Sequence, residues 1–301
     1  MGQHVTETTL LKNNFVINFR SFYELMKPRV MSLVIFTCVV GLIIAPQEIN
    51  IMSATFSLIA VAIGAGSAGA LNMWYESDID VLMKRTCLRP IPTGKISKKQ
   101  ALIFGVSMAT FSVLMLYLFS NFLSALMLLI TILFYVFIYT IWLKQRTPQN
   151  IVIGGAAGAF PPIIGWTIAM NSISLEPIFL FLIIFFWTPS HFWALSLYKI
   201  EDYNNAKIPM LPLVSGEKIT KINIFVYAII LLIVSIIPYF LNYFGILYLL
   251  SSVLLGLYYV YLCYSLLVNL EDEKAISKKI FIYSILYLFL IFTIMLIDKV
   301  I

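Results

Sequence analysis

Asn72, Glu76 and Asp80 recur every fourth residue in the stretch NMWYESDID, residues 72–80, directly after a long apolar run. At about 100° per residue the three share one stripe of a helix, while Asp78 points to a different side. An amide and two carboxylates in a row offer hard oxygen ligands of the kind that suits Mg²⁺, which takes its remaining ligands from water and phosphate oxygens. Acids at a helix C-terminus oppose the helix dipole, and ionisable groups at membrane depth ordinarily mark a functional site. The next stretch, KRTCLRPIPTGKIS, supplies Lys84, Arg85 and Arg89, with prolines and a glycine keeping it out of helix. Arg matches phosphate oxygens bidentately and Lys adds a point charge. Acids for Mg²⁺ followed by bases for phosphate make a diphosphate site.

A second polar stretch reads HFWALSLYKIEDYNNAKIPMLP, residues 191–212. On one continuous helix His191, Tyr198 and Asp202 line a single stripe, with His191 about 16 Å deeper in the membrane than Asp202. Asp202 joins the candidate metal ligands. His191, the only histidine in an apolar run, and Tyr198 are candidates for holding a substrate; the structural alternative for His191 is a bond to a neighbouring helix. Lys144 in YTIWLKQRTPQN and Lys199 join Lys84, Arg85 and Arg89 as candidate diphosphate contacts, and MKPRV places Lys27 and Arg29 at the entrance to the first apolar run.

The elements that must carry these groups are membrane helices. The chain has 301 residues, 61% hydrophobic and 11% charged, with a mean hydropathy of +0.96. A bilayer-crossing helix needs about 20 apolar residues, and such runs fall at 30–46, 53–75, 100–119, 123–143, 150–170, 177–198, 219–240, 245–268 and 279–297. Their continuous hydrophobicity excludes the alternation of barrel strands. The expected architecture is therefore all-α: a single membrane domain over 1–301 with nine transmembrane helices and a polar N-terminal segment, 1–25. Of the 20 Lys and Arg, all but Lys299 lie in or at the entrances of loops on one side. The positive-inside rule places that side, the N-terminus and both polar loops in the cytoplasm or its equivalent. The net charge of +6 thus describes topology, and no nucleic-acid partner is expected. Cys38, Cys87 and Cys263 are too scattered for a disulfide framework. In span 5, GGAAGAFPPIIGW makes one side small, which favours close helix packing over room for a flat ligand.

The Asn-x-x-x-Glu-x-x-x-Asp pattern with its basic loop, and an acidic loop four helices later, resembles the UbiA-type intramembrane prenyltransferases. More narrowly, MKPRV, NMWYESDID…KRTCLRP, LKQRTPQNIVIGGAAGAFPPIIGW, SHFWALSLYKIEDY and AKIPMLP, in this order, resemble the protoheme IX farnesyltransferase (haem O synthase) family. Glu76 stands where many relatives have Asp, Asn205 and Ala206 stand where further acids are common, and Lys207 replaces a common glycine. The resemblance implies transfer of a farnesyl group from farnesyl diphosphate to a vinyl group of haem b, with addition of water, giving haem O and diphosphate. It also implies Mg²⁺ as cofactor, a bacterial inner or mitochondrial inner membrane, contact with membrane lipid, and downstream haem-processing or terminal-oxidase assembly partners. Within the same class the competing expectation is prenylation of an aromatic quinone precursor. From another class it is a secondary transporter, whose ionisable groups would lie near the midplane at broken helices rather than at one interface.

Overall fold

The computed structural model describes residues 19–268 and 272–300; most of the polar N-terminal segment, residues 1–18, lies outside them. Among the described residues the secondary structure is entirely helical. The chain runs through α1 (Phe19–Leu25), α2 (Pro28–Ile43), α3 (Ile51–Asp80), α4 (Lys98–Phe119), α5 (Phe122–Leu133), α6 (Asn150–Ala159), α7 (Pro161–Met170), α8 (Leu175–Tyr198), α9 (Ile200–Asn205), α10 (Leu211–Val214), α11 (Glu217–Phe240), α12 (Ile246–Val268) and α13 (Glu273–Val300). Among the described residues eight segments are long and apolar enough to cross a membrane, and α1 and α2, joined across a 54° bend, make a ninth when taken as one span. Residues 19–25, expected within the polar segment, are therefore helical. Span 5 is divided at Phe160 into α6 and α7, because Pro161 and Pro162 supply no N–H to continue the ladder.

Local chemistry sets the helix ends. Ser97 and Gln100 form a reciprocal capping box that starts α4. Asn50 caps α3 by accepting from Met52 N. Asn121 caps α5 and also donates to Thr167 O at 2.8 Å, tying α5 to α7. Beyond α5 the same rod continues from Phe134 to Leu143 as a π-helix. Ten residues of i→i+5 pairing are uncommon, and π-turns concentrate at functional sites.

The interior separates into two large apolar clusters and a smaller one around Leu25, Met73 and Ile96. One large cluster joins α2 to α8 and α11–α13 through residues such as Val40, Trp193, Ile224, Tyr259 and Phe292. The other is built from α2–α5 and α7, with Val61, Leu71, Leu128 and Ile164. Between α2 and α7 the approach is so close that a Cβ on Gly41 would strike the Pro162 backbone and one on Gly165 the Cys38 backbone. Small residues there let the backbones touch, the usual route to tight packing inside a membrane. Span 5 behaves likewise: Gly154 lies against the Tyr139 ring and Gly155 against Thr188, while Gly158 faces open space. All three cysteines are free thiols.

Candidate active site

The C-terminal turns of α3 carry the first polar group. Asn72, Glu76 and Asp80 are only 2–4% exposed, whereas Asp78 sits on another side, exposed and 2.7 Å from Lys98 Nζ. Each member of the buried stripe meets a cation from a different segment. Lys27 Nζ donates to Asn72 Oδ1 at 2.6 Å. Lys144 Nζ lies against Glu76 Oε1 as a close ion pair. Arg89 Nη1 lies 2.8 and 2.7 Å from the two Asp80 oxygens.

Three local structures bring those cations in. Between α1 and α2, Lys27 adopts φ 52, ψ 53 directly before Pro28. The left-handed region is costly for a side chain with a Cβ, and strain of this kind persists where the surroundings over-determine it, often at functional sites. Gly69 on α3 leaves the room into which the Lys27 stem packs. The π-helix sets the second: Lys144 N donates to Tyr139 O and Thr140 Oγ1 to Tyr135 O, both five residues back. This register turns Thr140 toward α3, where its hydroxyl accepts from Asn72 Nδ2 at 3.1 Å. The third is the loop after α3, a series of tight turns in which Thr86 Oγ1 donates to the Asp80 carbonyl at 3.0 Å and the chain returns Arg89 to its carboxylate. Lys84 and Arg85, on the same loop, are exposed.

Asp202 is also buried, at 6% exposure, but it does not continue the stripe of His191 and Tyr198. The helix breaks at Lys199, φ −119, ψ 32, and Asp202 belongs to the separate short helix α9. The straight-helix register expected across Tyr198 and Asp202 is thus corrected: Lys199 resets the direction, and its ammonium lies 4.5 Å from the centroid of the Tyr198 ring. Helix α9 closes in a Schellman turn, with Ile208 N donating to Tyr203 O and Lys207 N to Asn204 O. Lys207 takes φ 52 there, the physical reason a glycine suits this position.

His191 is buried within α8. Its ring stacks on Trp187 at 4.2 Å and on Phe281 at 4.7 Å, and Nδ1 is 2.6 Å from Ser284 Oγ on α13. With the Ser284 hydroxyl donated to Phe281 O, its oxygen can accept from His191 Nδ1–H, the tautomer that leaves the Nε2 lone pair for a ligand or a donor.

Among the described residues no three Asp, Glu, His or Cys side chains already converge as a metal cluster. The donor set nevertheless fits a hard divalent cation: buried carboxylate and amide oxygens, each met by a positive charge that a metal and its phosphate ligands could replace. The sequence pattern indicated Asn72, Glu76, Asp80, Asp202 and the basic loop. It did not single out Tyr139 and Thr140, and it gave Lys27 only as an entrance charge, although a lysine wedged before a proline was the available signal.

A buried amide–carboxylate stripe flanked by cations on a bundle of long apolar helices is an arrangement suited to an intramembrane prenyltransferase. The chain belongs to the UbiA prenyltransferase family, whose model matches residues 34–285. It is 63% identical over 288 residues to the protoheme IX farnesyltransferase of Pelagibacter ubique, covering 95% of each chain, and 54% identical over 299 residues to that of Bartonella bacilliformis, covering 99% of this chain and 96% of the relative. Solved structures share the fold. A digeranylgeranylglyceryl phosphate synthase superposes with a TM-score of 0.78 at 19% identity, over 94% of this chain and 99% of that one. A UbiA homologue from Archaeoglobus fulgidus, bound to GPP and Mg²⁺, gives 0.66 at 17% identity over 91% and 99%.

Proposed function

We propose that this prenyltransferase moves a farnesyl group from farnesyl diphosphate to a vinyl group of haem b, adding water to give haem O and releasing diphosphate. The observation that carries the reading is the buried Asn72–Glu76–Asp80 stripe with Lys27, Lys144 and Arg89 already on its oxygens. The names of its relatives support farnesyl and haem as the substrates.

In this reading Asn72, Glu76, Asp80 and Asp202 hold Mg²⁺. The ion, when bound, supplies neutralisation of the charge that develops on the leaving diphosphate. The chain's own residues do the rest. Arg89, Lys144 and Lys27, drawn from carboxylate and amide to phosphate oxygens, orient the leaving group, and Lys84, Arg85 and Lys199 complete the basic rim. The allylic C–O bond breaks with its electron pair going to diphosphate. The vinyl carbon attacks the farnesyl C1, and the cation left beside the porphyrin ring takes up water, which loses a proton. Apolar walls keep water from the first cation until the new C–C bond has formed. His191, with Ser284 accepting from its Nδ1–H, would present Nε2 to the haem, and Tyr198 would contact the same substrate. A histidine that ligates a metal ordinarily has its other ring nitrogen fixed in this way. The polar loops face the cytoplasm or matrix, in keeping with the lysine and arginine distribution.

The test uses purified protein in lipid with farnesyl diphosphate and haem b. Diphosphate release is expected to need haem, and to stop with EDTA and resume with Mg²⁺. Release driven by an aromatic quinone precursor, and indifferent to haem, would overturn the reading.

A further inference from the structure

A groove of about 370 Å³ runs between α12 and α13 on the flank of the bundle, at the end that carries the charged loops, and nothing in the reaction above uses it. Its walls are Tyr258, Tyr283, Ile282 and Leu286, and its mouth carries Lys278 and Lys279. We propose that this groove binds one anionic phospholipid, its headgroup phosphate between the two lysines and an acyl chain along Ile282 and Leu286.

Charge and shape both point to that occupant. Lys278 and Lys279 are exposed and enter no ion pair among the described residues. The nearby Glu273 is already paired with Lys221. Basic pockets between membrane helices on the cytoplasmic side recognise lipid phosphates. Below the lysines the wall turns apolar at once: Ile282 is 56% exposed and Leu286 48%, the direction a lipid chain would follow. The aromatic wall is rigid. Tyr258 and Tyr283 meet edge to face at 4.8 Å, and Tyr283 OH is pinned to Leu255 O at 2.9 Å. Tyrosines of this kind sit at headgroup depth. A prenyl diphosphate has the same head-and-tail chemistry but arrives with Mg²⁺, and among the described residues no carboxylate lines this groove to receive the metal. The site also touches the second polar loop, because Lys278 Nζ lies 5.9 Å from the centroid of the Tyr198 ring.

Native mass spectrometry of the whole protein, released from phosphatidylcholine nanodiscs containing phosphatidylglycerol, reads the lipid directly. Wild type is expected to retain one phosphatidylglycerol above the zwitterionic background. Removing two lysines from an anionic surface site corresponds to roughly a 30-fold loss of affinity, so K278Q/K279Q loses that lipid. K99Q/K218Q, which removes two exposed charges from the first turns of α4 and α11, keeps it. All four lysines are exposed, and matching thermal melts in phosphatidylcholine alone confirm intact folding. Equal retention by wild type and K278Q/K279Q, equal loss from the control pair, or displacement of the lipid by micromolar farnesyl diphosphate without Mg²⁺ would each overturn the proposal.

Discussion

Lys27 and Asn72, 45 residues apart in the chain, meet through a 2.6 Å hydrogen bond from the ammonium to the amide oxygen. The contact depends on backbone strain, since Lys27 holds φ 52 immediately before a proline. Its partner is equally constrained, because the Asn72 amide nitrogen is bound to Thr140 on the π-helix. Three helical segments thus converge on one side chain.

Lys27→Met keeps the stem and removes the charge. Loss of one transition-state contact typically costs about 10²–10³ in rate, so turnover should fall by that order, with the protein still folded. Initial-rate measurements across farnesyl diphosphate concentrations check this. A variant within a few-fold of wild type would place Lys27 outside the chemistry.

Three of the acids should separate sharply. Asp80→Ala and Asp202→Ala should each lower turnover by at least about 100-fold. Asp78→Ala, which breaks an exposed pair with Lys98 worth at most about 1 kcal/mol, should leave it nearly unchanged. Comparable losses at Asp78 and Asp80 would mean that charge at this end of α3, rather than the buried stripe, is what matters.

His191→Ala tests the haem side. The account predicts a folded protein with an altered Soret band and weakened haem binding, and with farnesyl diphosphate affinity intact. Ser284→Ala should weaken haem binding less, because it frees the tautomer without removing the ligand. A stable His191→Ala protein with an unchanged haem spectrum would reduce His191 to a tie between α8 and α13.

Lys207→Gly concerns stability alone. The left-handed conformation costs a side chain roughly 1–2 kcal/mol, partly offset by the larger entropy glycine loses on folding. A net stabilisation of about 0.5–1 kcal/mol is expected, readable as a raised thermal midpoint. A lowered midpoint would show that the Lys207 side chain makes a compensating contact.

What was legible in the residues was whatever follows from helical period and hydropathy. The nine apolar runs match the spans because a bilayer demands length and continuity. Asn72, Glu76 and Asp80 share a buried side, apart from Asp78, because they lie on an unbroken helix. Where the backbone leaves α geometry the period misleads. FYVFIYTIWL carries no mark that distinguishes i→i+5 from i→i+4 pairing, so the Thr140–Asn72 contact was hidden. The break at Lys199 likewise took Asp202 off the stripe projected from His191. The cations on the stripe were visible as residue types, but their pairing with particular oxygens depends on tertiary approach across two turns and a loop.

The central claim is the identity of the acceptor, and mass spectrometry of extracted haems tests it most directly. Expression of this chain in a host lacking its own haem-modifying prenyltransferase should yield haem b heavier by one farnesyl group and one hydroxyl. Asp80→Ala should leave only haem b. Unmodified haem in the presence of folded wild-type protein, accompanied by a prenylated quinone precursor, would contradict the account.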